Sequence, residues 1–314
     1  MMPMILGRID RTAFVMTDEE WAEVNKGSDW PTFTGLACVI ALTFGAITFF
    51  TWRFESLWIA LVVCPLAVSF FNQVAQVTHF ASHAALVPSR HIEMLVGRIS
   101  SAALGYTLDG FSRTHLSHHN YLNGPDDGDR LWAVQRITRC HVLTTLLEDL
   151  FGISTGRRAL QYYFDRQAKS RTTASNILLV VVTQFAILAI FHTVRGWEFY
   201  FLFYVLPLIS LYPLLARLRS TCEHIPLCSV EGGNYWYART FDLNFIERFV
   251  LGPAQQHYHL EHHLVPNASP RQLQKIRGFL EARHDLRPVK ARSYLALAWN
   301  ILWMPSKGVL HQQK

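Results

Sequence analysis

Histidine is the residue type whose placement in this chain points most directly to chemistry. Eight of the fifteen histidines fall in three tight clusters, His79-Phe-Ala-Ser-His83, His115-Leu-Ser-His118-His119 and His259-Leu-Glu-His262-His263. On a helix of 3.6 residues per turn, positions four apart, or three and four apart, share one narrow sector, so each cluster can aim its imidazoles at a single point. Neutral imidazole binds zinc, copper, iron or nickel, and the ligand type alone does not select among them. Eight ligands exceed the need of one four-coordinate zinc, so two metals are the simpler expectation. Histidines serving only as ordinary core or surface residues would require the same coincidence three times.

The elements that must hold these clusters are written in the apolar runs. Residues 33–52, 56–78, 176–194 and 199–216 contain no Asp, Glu, Lys or Arg, and each approaches the length that crosses about 30 Å of hydrocarbon. The fold class expected is an all-α integral membrane protein: four transmembrane helices in two hairpins, with a cytoplasmic helical cap carrying the clusters. The hairpins close through Arg53-Phe54-Glu55 and Arg195-Gly-Trp-Glu198. Twenty-seven of the twenty-nine Lys and Arg residues lie outside those two turns. By the positive-inside rule their side is cytoplasmic, with both termini and all three clusters. The protein is thus expected as a multi-pass cell-membrane protein. Its formal charge of +6 follows from topology and anionic lipid, and no motif points to nucleic acid. The five scattered cysteines imply no disulfide framework. The first thirty residues lack the form of a signal peptide, so the first spanning helix is expected to act as the insertion signal. No repeat or break in composition divides the chain, which reads as a single domain over residues 1–314.

Smaller signals fill in the rest. Thr17-Asp-Glu-Glu20 has the form of a capping box and predicts a helix to about Lys26, interfacial or cytosolic, with Trp21 and Trp30 favouring the membrane interface. Residues 94–108 predict a short interfacial or re-entrant helix, and Asp109-Gly110 the turn and helix start before His115. Pro207 and Pro213 predict a kink in the fourth spanning helix. Residues 240–251 and 272–283 read as amphipathic, and residues 294–304 as an apolar end piece.

The spacings H-x3-H, H-x2-H-H and H-x2-H-H, in this order and around hydrophobic hairpins, resemble the membrane fatty acid desaturase and hydroxylase superfamily. The resemblance covers roughly residues 70–280 and includes Arg219-x3-Glu223-His224 before the last cluster and His262-His263-Leu264-x-Pro266 after it. Members are non-haem diiron enzymes, so the resemblance implies two Fe ions with O2 as co-substrate. It implies as ligands His79, His83, His115, His118, His119, His224, His259, His262 and His263. The turn containing Asp126, Asp127 and Asp129 resembles the aspartate-rich stretch that follows the second box in many members; these residues either orient a ligand imidazole or form a solvated turn. Glu223, Arg219 and Asn120 are expected beside the ligands, His257 is a spare ligand, and His91, His141, His192, His284 and His311 are bystanders. Phe80 and Ser220 depart from residues common in the family, which leaves regiochemistry open.

The activity the resemblance implies is O2-dependent oxidation of a fatty-acyl or other long-chain lipid at an unactivated C–H bond, with desaturation as the leading outcome. A hydroxylase or an alkene-forming fatty acid decarboxylase would carry much the same boxes. A zinc-dependent membrane hydrolase is a reading from another class, disfavoured because the candidate ligands exceed its need. A transporter is disfavoured because the spans hold no ionisable Asp, Glu, Lys or Arg. The chain has no dinucleotide fingerprint, no iron–sulfur cysteine spacing and no His-Pro-Gly-Gly haem segment. A separate electron donor is therefore expected, a ferredoxin or cytochrome b5 with its reductase. Arg271, Lys275 and Arg277 are candidates for its docking, or alternatively for contact with anionic lipid.

Overall fold

The computed structural model describes residues 15–54, 56–122, 126–129, 139–164, 173–224, 238–283 and 289–303. In chain order the helices are α1 (Asp18–Asn25), α2 (Trp30–Arg53), α3 (Ala60–Ser82), α4 (Arg90–Ala103), α5 (Leu108–Tyr121), α6 (Arg139–Leu150), α7 (Ile153–Phe164), α8 (Ala174–Val194), α9 (Trp197–His224), α10 (Phe245–Val250), α11 (His259–Leu264), α12 (Pro270–Ala282) and α13 (Tyr294–Trp303). The strands β1 (Thr240–Phe241) and β2 (Lys290–Ala291) form one short parallel pair, so the fold is helical as expected. The chain divides into two compact units, each assembled from separated stretches of sequence. Residues 123–125, Glu55, Cys228, His284, His311 and Met304 lie outside the described residues.

The unit formed by residues 30–112 and 146–216 is built on long apolar helices. α2, α3, α8 and α9 are the four described helices long and apolar enough to cross a membrane. At 1.5 Å per residue the 24 residues of α2 span about 36 Å. α2 packs on α3 and α8 on the start of α9, which gives the two expected hairpins. Leu42, Leu61, Leu178 and Phe185 are exposed, as side chains facing lipid would be. α3 is different, because its Ser69, Asn72, Gln73, Gln76 and Thr78 are all buried. They find partners on their own helix and on α2, with Gln73 Nε2 donating to Ser69 Oγ at 3.0 Å, Thr78 Oγ1 donating to Val74 O at 3.2 Å, and Thr43 Oγ1 3.5 Å from Gln73 Oε1. Polar groups on a spanning helix need such partners in a bilayer.

α4 begins at Arg90, earlier than the sequence suggested, and packs against α3 and α8. Gly97 permits this, since a Cβ there would lie 2.6 Å from the Ala81 Cβ. The last carbonyls of α4 are satisfied from neighbouring helices. Gln184 Nε2 donates to Ala102 O at 2.8 Å and Ala103 O at 3.0 Å, and the Tyr204 hydroxyl donates to Ala103 O at 2.6 Å. Around Pro207, where the sequence predicts a kink, the helix runs through two π-helical stretches, Phe201–Val205 and Pro207–Leu211. Widening the helix there accommodates a residue without an N–H. α9 then continues to His224 instead of ending near 216.

The second unit comprises residues 1–29, 113–145 and 217–314. α1 starts with the expected capping box, Glu20 N to Thr17 Oγ1 at 3.2 Å and Thr17 N to Glu20 Oε2 at 2.8 Å. α12 starts with another, through Ser269 and Gln272. α1 is anchored on α12: Arg271 binds Asp29 at 2.9 Å and the Val24 and Lys26 carbonyls, and Lys275 donates to Glu23 O at 2.6 Å. Arg277 is also turned inward. Two of the three cations expected to form a docking surface therefore fasten the N-terminal helix, and the third is buried. α11 packs on α12 and β1.

Candidate metal centre

Seven of the nine histidines implied as ligands belong to the second unit, and all seven are buried. α5 presents His115, His118 and His119, α11 presents His259, His262 and His263, and α9 ends on His224. The Nε2 atoms face one another. His115 and His119 are 3.1 Å apart, His119 and His262 3.1 Å, His224 and His259 2.9 Å, and His259 and His263 3.1 Å. His118, His224 and His263 form a further group whose ligand atoms lie within 4.8 Å of one another. His79 and His83 belong to the first unit, where they sit buried at the end of α3 with ring centroids 5.5 Å apart.

Several of the opposite ring nitrogens have partners that fix the tautomer. His115 Nδ1 is 2.8 Å from Asp129 Oδ2, and His118 Nδ1 is 2.9 Å from Asp127 Oδ1. Gly128 lets the loop press this close, because a Cβ there would lie 2.5 Å from the Thr114 carbonyl. Asp126, the third carboxylate of the turn, is exposed. Gln76 Oε1 accepts from His79 Nδ1 at 3.2 Å, whereas at His259 it is the Gln256 amide nitrogen, a donor, that lies 2.9 Å from Nδ1. With an amide oxygen or carboxylate accepting from Nδ1–H, the lone pair sits on Nε2 and points into the cluster. Burial opposes charge on His118, yet the hydrogen bond and negative charge of Asp127 raise its pKa above the ordinary value. His259 and His263 are driven well below the ordinary range, by burial first and then by the neighbouring histidines.

Four residues that sequence reasoning placed elsewhere or missed, Arg239, Arg277, Glu261 and Tyr294, lie on or against these helices. Arg239, 1% exposed, donates to the Cys222 carbonyl, and its N–H donates to Glu223 O at 2.9 Å. It thus caps the C-terminus of α9 with a cation whose pKa burial lowers to about 10. Arg277 Nη1 lies 2.6 Å from Thr240 Oγ1 and 3.4 Å from Glu261 Oε1, and Nη2 lies 2.8 Å from Asp242 and 2.9 Å from Glu281. Glu261, in the middle of the third cluster, is wholly buried, and burial raises its pKa to about 7 against the opposing pull of Arg277. Tyr294, also wholly buried, donates from its hydroxyl to Glu223 Oε1 at 2.8 Å and stacks on Phe241 at 3.9 Å. The C-terminal helix therefore reaches the site.

Among the expected neighbours of the ligands, Glu223 is buried 3.6 Å from His259 Nε2, and Arg219 Nε is 3.4 Å from Glu223 Oε1. Asn120 does not take part; it is exposed and donates to Leu116 O of its own helix at 3.0 Å. His257 is not a spare ligand here. Its Nδ1 is 3.2 Å from Gly252 O, burial lowers its pKa to about 4, and it lies in none of the groups able to hold a metal.

A pair of Nε2 lone pairs about 3 Å apart is repulsive unless a proton or a cation lies between them. Metal–nitrogen bonds of about 2.1 Å place adjacent ligand atoms about 3.0 Å apart at 90°. The chain of Nε2 contacts, with Nδ1 of His115 and His118 held from outside, fits imidazole ligation of metal, and its extent exceeds one tetrahedral site.

The comparisons with known proteins agree with this geometry. The fatty acid desaturase family model matches residues 56–292. A 65-residue stretch is 38% identical to the dihydrorhizobitoxine desaturase of Bradyrhizobium elkanii, covering 21% of this chain and 18% of that protein. The match thus spans less than a fifth of that relative's length.

Proposed function

This chain belongs to the fatty acid desaturase family, and on that premise we propose that it is a membrane oxidoreductase that desaturates a fatty-acyl or other long-chain lipid. The observation that carries the reading is the buried run of Nε2 atoms 2.9–3.1 Å apart. The proposed ligands are His79, His83, His115, His118, His119, His224, His259, His262 and His263, with two irons as the metals and the two units acting as one domain. When bound, the metals supply the oxidising power, drawn from O2, that side chains lack for an unactivated C–H bond.

The chain's own residues do the rest. Asp127, Asp129 and Gln76 hold Nδ1 protons and keep Nε2 free for ligation. Arg239 and the Arg277–Glu261 pair fix the helix ends that bear His224 and the third cluster. The burial of all these histidines excludes water that would intercept a strong oxidant. The apolar helices α2, α3, α8 and α9 are proposed to lie in lipid, where a long-chain substrate is dissolved, with the site proposed to face the cytoplasm and electrons to come from a ferredoxin or cytochrome b5. The name of the Bradyrhizobium relative supports desaturation as the outcome.

Purified protein in nanodiscs, assayed for metals and for lipid products after supply of a donor and O2, tests the reading. About two irons per chain and a product two hydrogens poorer than its substrate are expected. One zinc per chain would overturn the metal assignment, and a hydroxylated product or a terminal alkene would replace desaturation by the corresponding reaction.

A further inference from the structure

Histidine is not the only ligand type turned toward this centre. Glu223 stands in the last turn of α9, one residue before His224, and is 2% exposed. Its two oxygens have different surroundings. Oε1 accepts the Tyr294 hydroxyl at 2.8 Å, with Arg219 Nε 3.4 Å away. Oε2 is turned to the histidines, 3.6 Å from His259 Nε2. Glu223, His224 and His259 can each offer one ligand atom within 4.8 Å of the others.

An ordinary account would have Oε2 accept a proton from His259 and merely orient the ring. The separation argues against it, because 3.6 Å between Oε2 and His259 Nε2 is longer than a hydrogen bond. That same Nε2 faces the Nε2 atoms of His224 at 2.9 Å and His263 at 3.1 Å. A carboxylate oxygen gathered with imidazole nitrogens at these spacings suits a cation held among them. On a metal with bonds of about 2.1 Å, neighbouring ligand atoms are about 3.0 Å apart at 90° and about 3.6 Å apart at 120°. The Glu223–His259 separation falls at the upper end of that span.

We propose that Glu223 is an oxygen ligand of the metal held by His224 and His259, and that Tyr294 is a positioning residue that occupies the other carboxylate oxygen and keeps Oε2 aimed at the metal. This rests on the metal-centre reading above and goes beyond its all-histidine ligand set. One of the two metals then carries an anionic oxygen and the other only neutral nitrogens, so the pair is chemically unequal. The carboxylate favours the more highly charged state of its own metal. Tyr294 remains a neutral donor, because burial and the adjacent Glu223 hold its hydroxyl far above the ordinary phenol range.

The test is Mössbauer spectroscopy of the purified full-length protein loaded with 57Fe and reduced, with iron counted in the same samples. The wild type is expected to show two unequal ferrous doublets. Glu223→Gln should alter one doublet, or lose that iron, and leave the other unchanged. Tyr294→Phe should keep both irons and alter the same doublet to a smaller degree. If Glu223→Gln fails to insert or loses both irons, Tyr294→Phe decides, since it leaves the carboxylate in place. Two irons in the wild type with variant spectra superimposable on it would overturn the ligand role alone. A wild-type protein without iron would overturn the diiron reading and this proposal together.

Discussion

Replacing Arg277 by alanine removes the cation paired with Glu261, and the structure says which of its contacts matter. Asp242 and Glu281 are 55% and 42% exposed, so water takes over their pairing and each contributes a fraction of a kcal/mol. Glu261 is 0% exposed. Stranding a buried carboxylate by deleting its partner costs about 3–5 kcal/mol. At roughly 2 °C per kcal/mol for a chain of this size, the midpoint of thermal unfolding should fall by about 6–10 °C. α11 carries three of the histidines, so metal should also be lost faster to a chelator.

The double variant Arg277→Met/Glu261→Leu removes both charges and should recover most of the loss, because an apolar pair avoids the desolvation cost. Arg277→Lys should fall between, since a point charge cannot serve Thr240 and Glu261 in the fork geometry of a guanidinium. Thermal unfolding in nanodiscs, followed by tryptophan fluorescence beside chelator-release kinetics, provides the measurement. An Arg277→Ala protein as stable and as retentive of metal as the wild type would refute the reasoning. So would a double variant no better than the single one.

Asp127→Asn should weaken metal retention or activity by about 10–100-fold through the loss of a charged acceptor for His118, while Asp126→Asn, at an exposed position, should change neither; chelator competition on both variants checks this. His262→Ala should abolish oxidation with membrane insertion intact, and His192→Ala should leave turnover as it was; a fully active His262→Ala protein would remove it from the ligand set. Iron chelation should silence the enzyme and ferrous iron restore it, and restoration by zinc would count against redox chemistry. Turnover should require an added donor protein, and sustained turnover from NAD(P)H and O2 alone would show that it does not.

Much of this molecule was legible because its constraints are one-dimensional. A bilayer demands an uncharged run of set length, and a helix demands spacings of three and four for side chains that converge, so α2, α3, α8 and the three clusters could be read directly. The acidic turn was half legible: its composition marked a turn near ligands, but only the fit of Gly128 against Thr114 separates the working Asp127 and Asp129 from the exposed Asp126. The contacts of Arg271, Lys275 and Arg277 were not legible, because a basic stripe on an amphipathic helix looks the same whether it meets water or another element. Asp29 and the carbonyls around Lys26 hold Arg271, and Glu261 draws Arg277 inward. Those partners lie on other elements and leave no local mark.

The end of α9 shows the same limit most clearly. The apolar run stops at 216, and charge at Arg217, Arg219 and Glu223 suggests that the helix stops too. It continues because backbone hydrogen bonding is indifferent to hydropathy, and because its last carbonyls are met by Arg239. The extra turns have a chemical consequence. Only on a helix do Arg219 and Glu223 share a face, at the four-residue spacing that brings them within 3.4 Å. Only with the helix end fixed does His224 meet His259 while Glu223 meets Tyr294, 71 residues further along. A chain that frayed at 216 would keep every motif in its sequence and lose the geometry that brings the Arg219-x3-Glu223-His224 element into the proposed metal site.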